Sequence, residues 1–489
     1  MSFWSSLAGL ISGRNPAWDM IGSAVRGYRR VRIAVTGSRA SGKTVFLTSL
    51  ANHLRDHHPD TFPMDGMSVH WDKDAITGDT FNGLPVFDYN EARGSLARGE
   101  WPKKTAAASI LPLRLLVRHA DGSHERVQLE LVDIPGERMA DFAMKDRSYA
   151  EWCRWMEREH SSPSYREYLG KVAAAGPGGT AAMLDAYRDF LAGEYESLSA
   201  CITPSTVKLG LDGGRRGGSP TDFRRAIADV PVGLKDGSGR AHEFIPLPQS
   251  CLDGGPGWRK AASAFAKSYD RYVRKVVRPV VEWLADAEKM IYLVDVLTLL
   301  QSGAVACDSE RRHGEAAMAA LCPKAGNVLD RFLNWTAGLL WKTRINAVYV
   351  VATKSDLVFS NENRDNMASL AERLLGRPLA FLGEGGVKTG VVSCAAVCST
   401  REVLAGGRNA LQGKIEGAAD RRGGGGEADV WVPSDVPAGF PGSSEEWDRM
   451  LAEGRFNYQF AFPWFETAQM CPPRQMGLNL LAKEMLEER

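Results

Sequence analysis

Several features that would assign a protein to a specialised class are missing from this sequence of 489 residues. The eight cysteines include no C-x-x-C pair, so we expect reduced thiols and predict neither a disulfide framework nor a cysteine-based zinc site. The formal net charge is only +1, which provides no electrostatic argument for a nucleic-acid partner. No apolar run is long enough to span a bilayer, and we expect no secretory signal peptide. What is left is a cytoplasmic globular protein, and its length predicts two or three domains.

The sequence does contain a complete phosphate-binding motif at residues 37–44, which read G-S-R-A-S-G-K-T. Residues 31–36 before it have the composition of a short buried strand, and residues 45–54 after it have helical spacing. A strand, a glycine-rich loop and a helix N-terminus together direct backbone N–H groups toward an anion. In such a loop Lys43 would contact the β- and γ-phosphates, and the hydroxyl of Thr44 would bind Mg²⁺. The predicted phosphate-binding residues of the loop are Gly37, Ala40, Ser41, Gly42, Lys43, Thr44 and Val45.

A second motif lies at residues 131–136, where an apolar strand ends in Asp133 and is followed by Ile-Pro-Gly. A nucleotidase needs a carboxylate at the end of such a strand to hold the water shell of Mg²⁺. Gly136 has no Cβ in the way, so its N–H could reach the γ-phosphate. A threonine ahead of this strand should complete the metal site, and Thr105 is the best placed. We therefore predict that Thr44, Thr105 and Asp133 hold the metal.

Two further motifs indicate a guanine base. Residues 353–356 read T-K-S-D directly after an apolar strand and match the pattern [NT]-K-x-D. The carboxylate of Asp356 can accept from both N1–H and the exocyclic amine of guanine, a pair of donors that adenine lacks. Lys354 would lay its methylenes along the purine, and a loop after the next strand would reach guanine O6 through a backbone N–H. The predicted guanine-binding residues are Thr353, Lys354, Asp356, Ser393, Cys394 and Ala395.

The residue after Gly136 argues for slow hydrolysis. Fast Ras-like enzymes place a water-orienting glutamine there, whereas this chain has Glu137, whose carboxylate is repelled by a γ-phosphate. We therefore expect that Lys43 is assisted by a partner or by another residue of the chain. Arg39 and Arg138 are the candidates for stabilising the developing charge.

The order of predicted elements indicates an α/β fold with a mostly parallel sheet. Alternating residues at 113–118 and 127–132, with a turn between them, predict an antiparallel hairpin. One antiparallel strand before the acidic strand is the arrangement of Ras-like GTPases, which is an analogy to that superfamily. Residues 139–287 are helical in pattern and too long for a simple crossover, so they predict an inserted helical domain. The predicted units are an N-terminal amphipathic helix (1–28), the first part of a P-loop domain (29–138), the insertion (139–287), and the second part of the P-loop domain (288–489) with a flexible Gly-rich loop at about 405–444.

Three segments allow more than one interpretation. Residues 205–257 are rich in Gly, Asp and Pro and are predicted as loop. Apolar residues at helical spacing in the first 11 positions either pack on the body of the protein or contact a membrane surface or a partner. Four aromatic residues of the insertion form either a helical core, which we favour, or a partner surface: Trp152, Trp155, Tyr165 and Tyr168.

Together these motifs resemble the YcjX-like P-loop GTPase family. The resemblance rests on the loop at 37–44, W-P-x-x-T at 101–105, D-I-P-G-E at 133–137 and T-K-S-D at 353–356, together with the long helical insertion. It implies a bacterial cytoplasmic protein that binds GTP and GDP and belongs to heat-shock or phage-shock regulons. It also implies a helical domain inserted after the second switch.

The function predicted is Mg²⁺-assisted hydrolysis of GTP to GDP and phosphate, acting as a slow, stress-related switch with an unidentified regulatory protein partner. Two alternatives remain open. One is an ATPase or another P-loop phosphotransferase, which competition between GTP and ATP would identify. The other is a largely non-catalytic scaffold that holds GDP and works through the helical insertion.

Overall fold

The computed structural model describes most of the chain in segments. These are residues 27–38, 40–72, 80–81, 84–103, 108–145, 147–160, 162–193, 203–209, 220–319, 345–415, 429–463 and 472–487. The predicted N-terminal helix at 1–28 lies almost wholly outside the described residues. Within the described part, no helix combines the length and the apolar character needed to cross a membrane.

Fifteen strands are found in the described part of the chain. In chain order they are β1 (Arg29–Gly37), β2 (Met67–Trp71), β3 (Thr80–Phe81), β4 (Leu84–Pro85), β5 (Ser109–His119), β6 (His124–Asp133), β7 (Gly233–Lys235), β8 (Ala241–Glu243), β9 (Lys289–Val294), β10 (Ala347–Thr353), β11 (Lys388–Cys394), β12 (Thr400–Ala405), β13 (Arg408–Ile415), β14 (Asp429–Trp431) and β15 (Ala461–Phe462).

The α-helices of the described part are α1 (Lys43–Arg55), α2 (Tyr89–Ala97), α3 (Tyr149–Glu159), α4 (Pro163–Ala175), α5 (Thr180–Gly193), α6 (Thr206–Leu209), α7 (Pro220–Ile227), α8 (Gln249–Leu252), α9 (Pro256–Tyr272), α10 (Arg278–Ala285), α11 (Val296–Ser302), α12 (Ala304–Ala319), α13 (Asn361–Glu384), α14 (Ser444–Ala452) and α15 (Leu478–Leu486). Two 3₁₀ segments (Gly136–Met144 and Ser355–Leu357) and one π segment (Val273–Val277) complete the set.

The main sheet has seven strands in the order β11-β10-β9-β1-β6-β5-β2. Among these described strands only β5 runs against its neighbours, because it pairs antiparallel with both β6 and β2 while the other pairs are parallel. The predicted α/β fold with one antiparallel strand is therefore confirmed, as is the hairpin of β5 and β6. The prediction missed the edge strand β2, although Met67 and Val69 alternate with polar residues and point inward.

Both faces of the main sheet are covered. Val31, Ile33 and Val35 of β1 belong to a core formed with α1 and α15, whereas Ala34 faces a core that includes α11, α12 and α13. Successive side chains of a strand point to opposite faces, so a strand buried on both sides is mostly apolar. The buried Arg32 of β1 is an exception, and it is paired with Glu130 of β6 at 2.9 Å.

The helical region has an aromatic core that is continuous with the core on the Ala34 face of the main sheet. Four aromatic residues were predicted to form either a helical core or a partner surface: Trp152, Trp155, Tyr165 and Tyr168. Each is at most 1% exposed, so the prediction of a helical core is confirmed. Ser148 begins α3 with a capping box, in which its side chain accepts from the Glu151 N–H and the Glu151 carboxylate accepts in return. The division into units at 138 and 287 remains a prediction.

Two segments predicted as loop are more ordered than expected. Residues 205–257 contain α6, α7, α8 and the hairpin of β7 and β8. The predicted flexible loop at 405–444 includes β13 and β14, which form a second sheet with β12, while residues 416–428 lie outside the described part. Gly406 and Gly407 have φ values of 58° and 75°, so this pair makes the two-residue turn that joins β12 to β13.

His53, in the last turn of α1, connects this helix to the C-terminal segment. Its ring is 1% exposed, stacks on Phe62 with 4.5 Å between centroids, and donates from Nε2 to the carbonyl of Pro473 at 3.0 Å. Burial lowers the pKa of His53 to about 4. The folded protein therefore holds the imidazole neutral at pH values where the unfolded chain, with a pKa of about 6.5, takes up a proton.

The stability of the protein should consequently fall between pH 6.5 and pH 4, because the unfolded state binds the extra proton in this window. The loss attributable to His53 is about 3 kcal/mol over the full window. Urea unfolding at both pH values should show a smaller pH effect for His53→Gln than for the unchanged protein. His124→Gln, on an exposed position of β6, is the matched control and should retain the full pH effect. An equal change in unfolding free energy between the two pH values for both variants would contradict the role given to His53.

Candidate functional site

The phosphate-binding motif forms the loop between β1 and α1. Gly37 has φ 146°, and a Cβ there would lie 2.2 Å from the carbonyl oxygen of Leu293 on β9. Gly42 has φ 86° and caps the start of α1, and Ala40 takes a left-handed conformation with φ 61°. A non-glycine residue in this region costs energy and is found mainly at functional sites. The loop thus turns sharply and starts a helix at Lys43, as the motif predicts.

The side chain of Lys43 folds back over its own loop. Its Nζ donates to the carbonyl oxygens of Gly37 and Ser38, at 2.9 Å each. Ser41 is fully buried beneath, and its hydroxyl donates to the same Ser38 carbonyl at 2.8 Å. An anion in the loop would attract this ammonium group, because a charge-assisted hydrogen bond is stronger than one to a neutral carbonyl.

Asp133 lies beside the start of the loop. The parallel register pairs it with Val35 of β1, and the N–H of the next residue, Ile134, donates to the Val35 carbonyl at 2.9 Å. Thr36 adds a bond from its hydroxyl to the Ile134 carbonyl at 3.1 Å. The carboxylate of Asp133 is 1% exposed. The second motif is therefore attached to the strand end from which the phosphate loop departs.

Gly136 is the contact between the two motifs. A Cβ on this residue would lie 2.2 Å from the carbonyl oxygen of Gly37 and 2.8 Å from Nε2 of His313 on α12. No other residue fits between the loop and this helix without displacing one of them. The structure thus brings the predicted γ-phosphate contact directly against the predicted phosphate loop.

The donor set at this edge of the sheet suits Mg²⁺. Thr44 at the start of α1 provides a half-buried hydroxyl, and Asp133 provides a carboxylate from the neighbouring strand end. Hydroxyl and carboxylate oxygens are hard ligands, which Mg²⁺ prefers and completes with water and phosphate oxygens. The third predicted ligand, Thr105, lies outside the described residues.

The T-K-S-D motif begins at the carboxyl end of β10, two strands from β1. Thr353 is the last residue of the strand, and its hydroxyl donates to the Val294 carbonyl of β9 at 3.3 Å. Lys354 adopts a left-handed backbone with φ 64°, and its ammonium forms an ion pair with Asp295 and lies 4.6 Å from the ring centre of Phe460. The lysine stem is therefore held across the ends of two strands.

Asp356 is oriented by a residue 43 positions later in the chain. Its Oδ2 accepts from the N–H of Ser399 at 2.7 Å and from the hydroxyl of Ser399 at 2.8 Å. The side chain is 3% exposed, and this burial raises the pKa of the carboxyl while the Ser399 bonds oppose the rise. Since one oxygen takes both bonds from Ser399, the carboxylate is held in a single orientation.

The predicted loop at Ser393–Ala395 lies beside the T-K-S-D motif, because the register pairs Thr353 with Cys394. The N–H of Ala395, however, donates to the Met476 carbonyl at 2.9 Å, and Met476 returns a bond at 2.8 Å. A contact from this N–H to guanine O6 would have to replace the bond to Met476. Burial raises the pKa of the Cys394 thiol, so this cysteine is a packed, protonated side chain.

The structure describes the side chain of only one of the three candidate residues Arg39, Glu137 and Arg138. Arg39 lies outside the described residues, and of Glu137 only the backbone in the 3₁₀ segment is described. The guanidinium of Arg138 donates to the hydroxyls of Ser205 and Tyr272, at 3.0 and 3.1 Å, and lies 3.8 Å from Asp141. In this structure Arg138 therefore connects the segment after Gly136 to the helical region.

Sequence reasoning missed two polar residues of this site. Asp295 follows an apolar strand as Asp133 does, so the same pattern could have identified it. Ser399 has no local signature, because its role depends on a contact with a residue far away in the sequence.

Comparisons with known proteins show the family of this chain. The model of the YcjX-like family, DUF463, matches residues 31–207 and 235–484. Two of the curated proteins that are similar to the chain carry the name Ras-like GTPase YcjX. The one from Shewanella oneidensis is 25% identical over 84% of this chain and 85% of its own length. The one from Escherichia coli K12 is 26% identical over 86% of this chain and 88% of its own length.

Proposed function

Because this chain belongs to the YcjX-like family, we propose that it binds GTP and GDP with Mg²⁺ and hydrolyses GTP to GDP and phosphate at a low intrinsic rate. The observation that carries the proposal is the close approach of Gly136 to Gly37, which supports a γ-phosphate contact beside the predicted phosphate loop. The names of the two relatives, Ras-like GTPase YcjX, support the same nucleotide class.

The phosphates would be held by the backbone N–H groups of residues 40–45, by the ammonium of Lys43 and by the N–H of Gly136. Thr44 and Asp133, with Thr105, would hold the metal ion, which when bound offsets the charge on the β- and γ-phosphates. The protein contributes position and electrostatic stabilisation, because phosphoryl transfer requires little covalent chemistry from it. A water molecule would attack the γ-phosphate in line.

The base would be selected by Asp356. Its carboxylate, oriented by Ser399, accepts from two guanine donors, and ATP cannot satisfy this buried acceptor. The stem of Lys354 would cover the purine, since its ammonium is anchored on Asp295. The loop at Ser393–Ala395 would close the site beside the base.

The low rate follows from two residues. Glu137 occupies the position of the water-orienting glutamine, and Arg138 has hydrogen-bond partners in the helical region. We therefore propose that the protein acts as a nucleotide-dependent switch. A regulatory partner would supply the positive charge that stabilises the transition state, and Arg39 is the remaining candidate for this role within the chain. The stress-related part of the proposal rests on the family resemblance.

Nucleotide competition combined with turnover tests this function. We expect GTP and GDP to displace a labelled guanine nucleotide and ATP to fail at a hundredfold higher concentration. Turnover should be on the order of 10⁻³ s⁻¹ or slower, as for unassisted Ras-like proteins, and should stop when EDTA removes Mg²⁺. Displacement by ATP would indicate an ATPase or phosphotransferase, and tight GDP binding with no turnover at all would indicate a scaffold. Either result contradicts the proposal.

A further inference from the structure

We propose that a groove in the helical region binds a small anionic ligand bearing phosphate or carboxylate groups. The groove lies between the start of α5, the hairpin of β7 and β8, and the end of α9 with the π segment, and its volume is about 720 Å³. This volume is within the range of small-molecule sites. Five basic side chains line it: Arg240, His242, Lys267, Arg271 and Arg274.

Arg240, Lys267 and Arg274 are exposed side chains on the lining of the groove. Within the part of the chain that the structure describes, the side chains of Arg240, Lys267 and Arg274 form no ion pair or hydrogen bond, although they share one groove. Like charges that converge on a concave surface raise its positive potential, because the low-dielectric walls focus the field. An anion bound there would relieve this repulsion.

The carboxylates near the groove do not neutralise it. Glu243 is already bound by Arg188 at 2.5 Å and by the N–H of Val232 at 3.1 Å. Asp236 accepts from His242 at 2.8 Å and lies 3.6 Å from Arg271, and hydrogen bonds from Ser238 and His242 hold its pKa well below the usual range. It therefore fixes the positions of His242 and Arg271 at the rim. Asp270 is the remaining carboxylate of the lining and is outnumbered by the cations.

The base of the groove is apolar, since Leu184 and Phe265 are part of its lining and are both buried. A cationic rim above an apolar base fits a small molecule with an apolar body and at least two anionic groups. Arginine is suited to this task because its planar fork pairs with phosphate and carboxylate through two parallel bonds.

The helix that lines the groove also has an unusual backbone geometry. Arg274 lies in the π segment Val273–Val277, which precedes Pro279. Proline lacks an N–H and clashes with the carbonyl four residues earlier, so the helix widens there. Such π segments often occur at functional sites, and this one presents Arg274 to the groove.

Calorimetric titration of the full chain at low salt, with one equivalent of GDP to fill the proposed nucleotide site and no free excess that could compete, tests the groove. The probes are benzene-1,3,5-triyl trisphosphate and benzene-1,3,5-tricarboxylate, which share an apolar ring and separate phosphate from carboxylate recognition. We expect one binding event with at least one probe. The double variant Arg240→Ser with Arg274→Ser should weaken it at least about tenfold.

The matched control is the double variant Arg259→Ser with Lys260→Ser, which removes the same charge from exposed positions of α9 outside the groove. It should bind the probe as the unchanged protein does. Failure of both probes to bind at millimolar concentration would overturn the proposal. An equal loss in the control would do the same, since it would indicate unspecific attraction. If the protein bound no guanine nucleotide, the probe results would be read without GDP and would still decide the question.

Discussion

Replacing Lys43 by alanine should lower the affinity for GTP and GDP at least about 100-fold, or by nearly 3 kcal/mol. The ammonium lies over the phosphate loop on two carbonyl oxygens, from which it can move to the β- and γ-phosphates. Hydrogen bonds to charged groups are worth about 1.5–3 kcal/mol each, and this lysine would make at least one to each phosphate. Equilibrium titration with a fluorescent GDP analogue measures the effect directly.

The control for this experiment is Lys414→Ala, which removes an exposed lysine from β13, away from the nucleotide site. Circular dichroism and thermal unfolding should be unchanged for both variants, because the side chain of Lys43 is only half-buried. If Lys43→Ala binds guanine nucleotides as tightly as the control does, the phosphate loop is not the binding site and the proposed function fails.

The elements that build the candidate phosphate site could be predicted because their signals are local. A motif of eight residues between a strand and a helix requires glycine at the two positions where the backbone turns, and the structure has φ of 146° at Gly37 and 86° at Gly42. The single antiparallel strand was predictable for the same reason, since β5 and β6 are joined by a short turn and alternate in the halves next to it.

Contacts between distant parts of the chain could not be predicted in this way. The C-terminal segment pairs Met476 with Ala395 and accepts a bond from His53, and nothing in the composition of residues 472–477 indicates either contact. The bonds of Arg138 to Ser205 and Tyr272 depend equally on how the helical region packs. Such pairs follow from the tertiary arrangement, which a local pattern does not contain.

Glycine was the residue most easily misinterpreted. The flexible loop at about 405–444 was predicted from the run of glycines at 423–426, which lies outside the described residues, whereas Gly406 and Gly407 in the same range form a tight turn between paired strands. Composition alone cannot separate these cases, because the same freedom to adopt positive φ serves both a flexible segment and a defined turn. Only the alternation of the flanking residues distinguishes them.

Replacing Asp356 by asparagine should shift nucleotide preference from GTP toward XTP, with a change of at least about 100-fold in the ratio of their affinities. This variant should change the base contact without disturbing the contact with Ser399. Both bonds from Ser399 go to the same carboxylate oxygen, so an amide oxygen can keep them while its NH₂ group takes the other position. That position then offers a donor in place of an acceptor, which suits the carbonyl that xanthine has where guanine has an amine.

The base contact can be separated from effects on folding with two further variants. Asp365→Asn makes the same chemical change on an exposed position of α13 and should leave the preference for GTP intact. Ser399→Ala removes one of the two bonds that orient Asp356, so it should weaken GTP binding without creating affinity for XTP. Competition between GTP and XTP for each variant gives the ratio. A ratio for Asp356→Asn equal to that of Asp365→Asn would show that the buried carboxylate serves only to hold Ser399, and that another part of the chain selects the base.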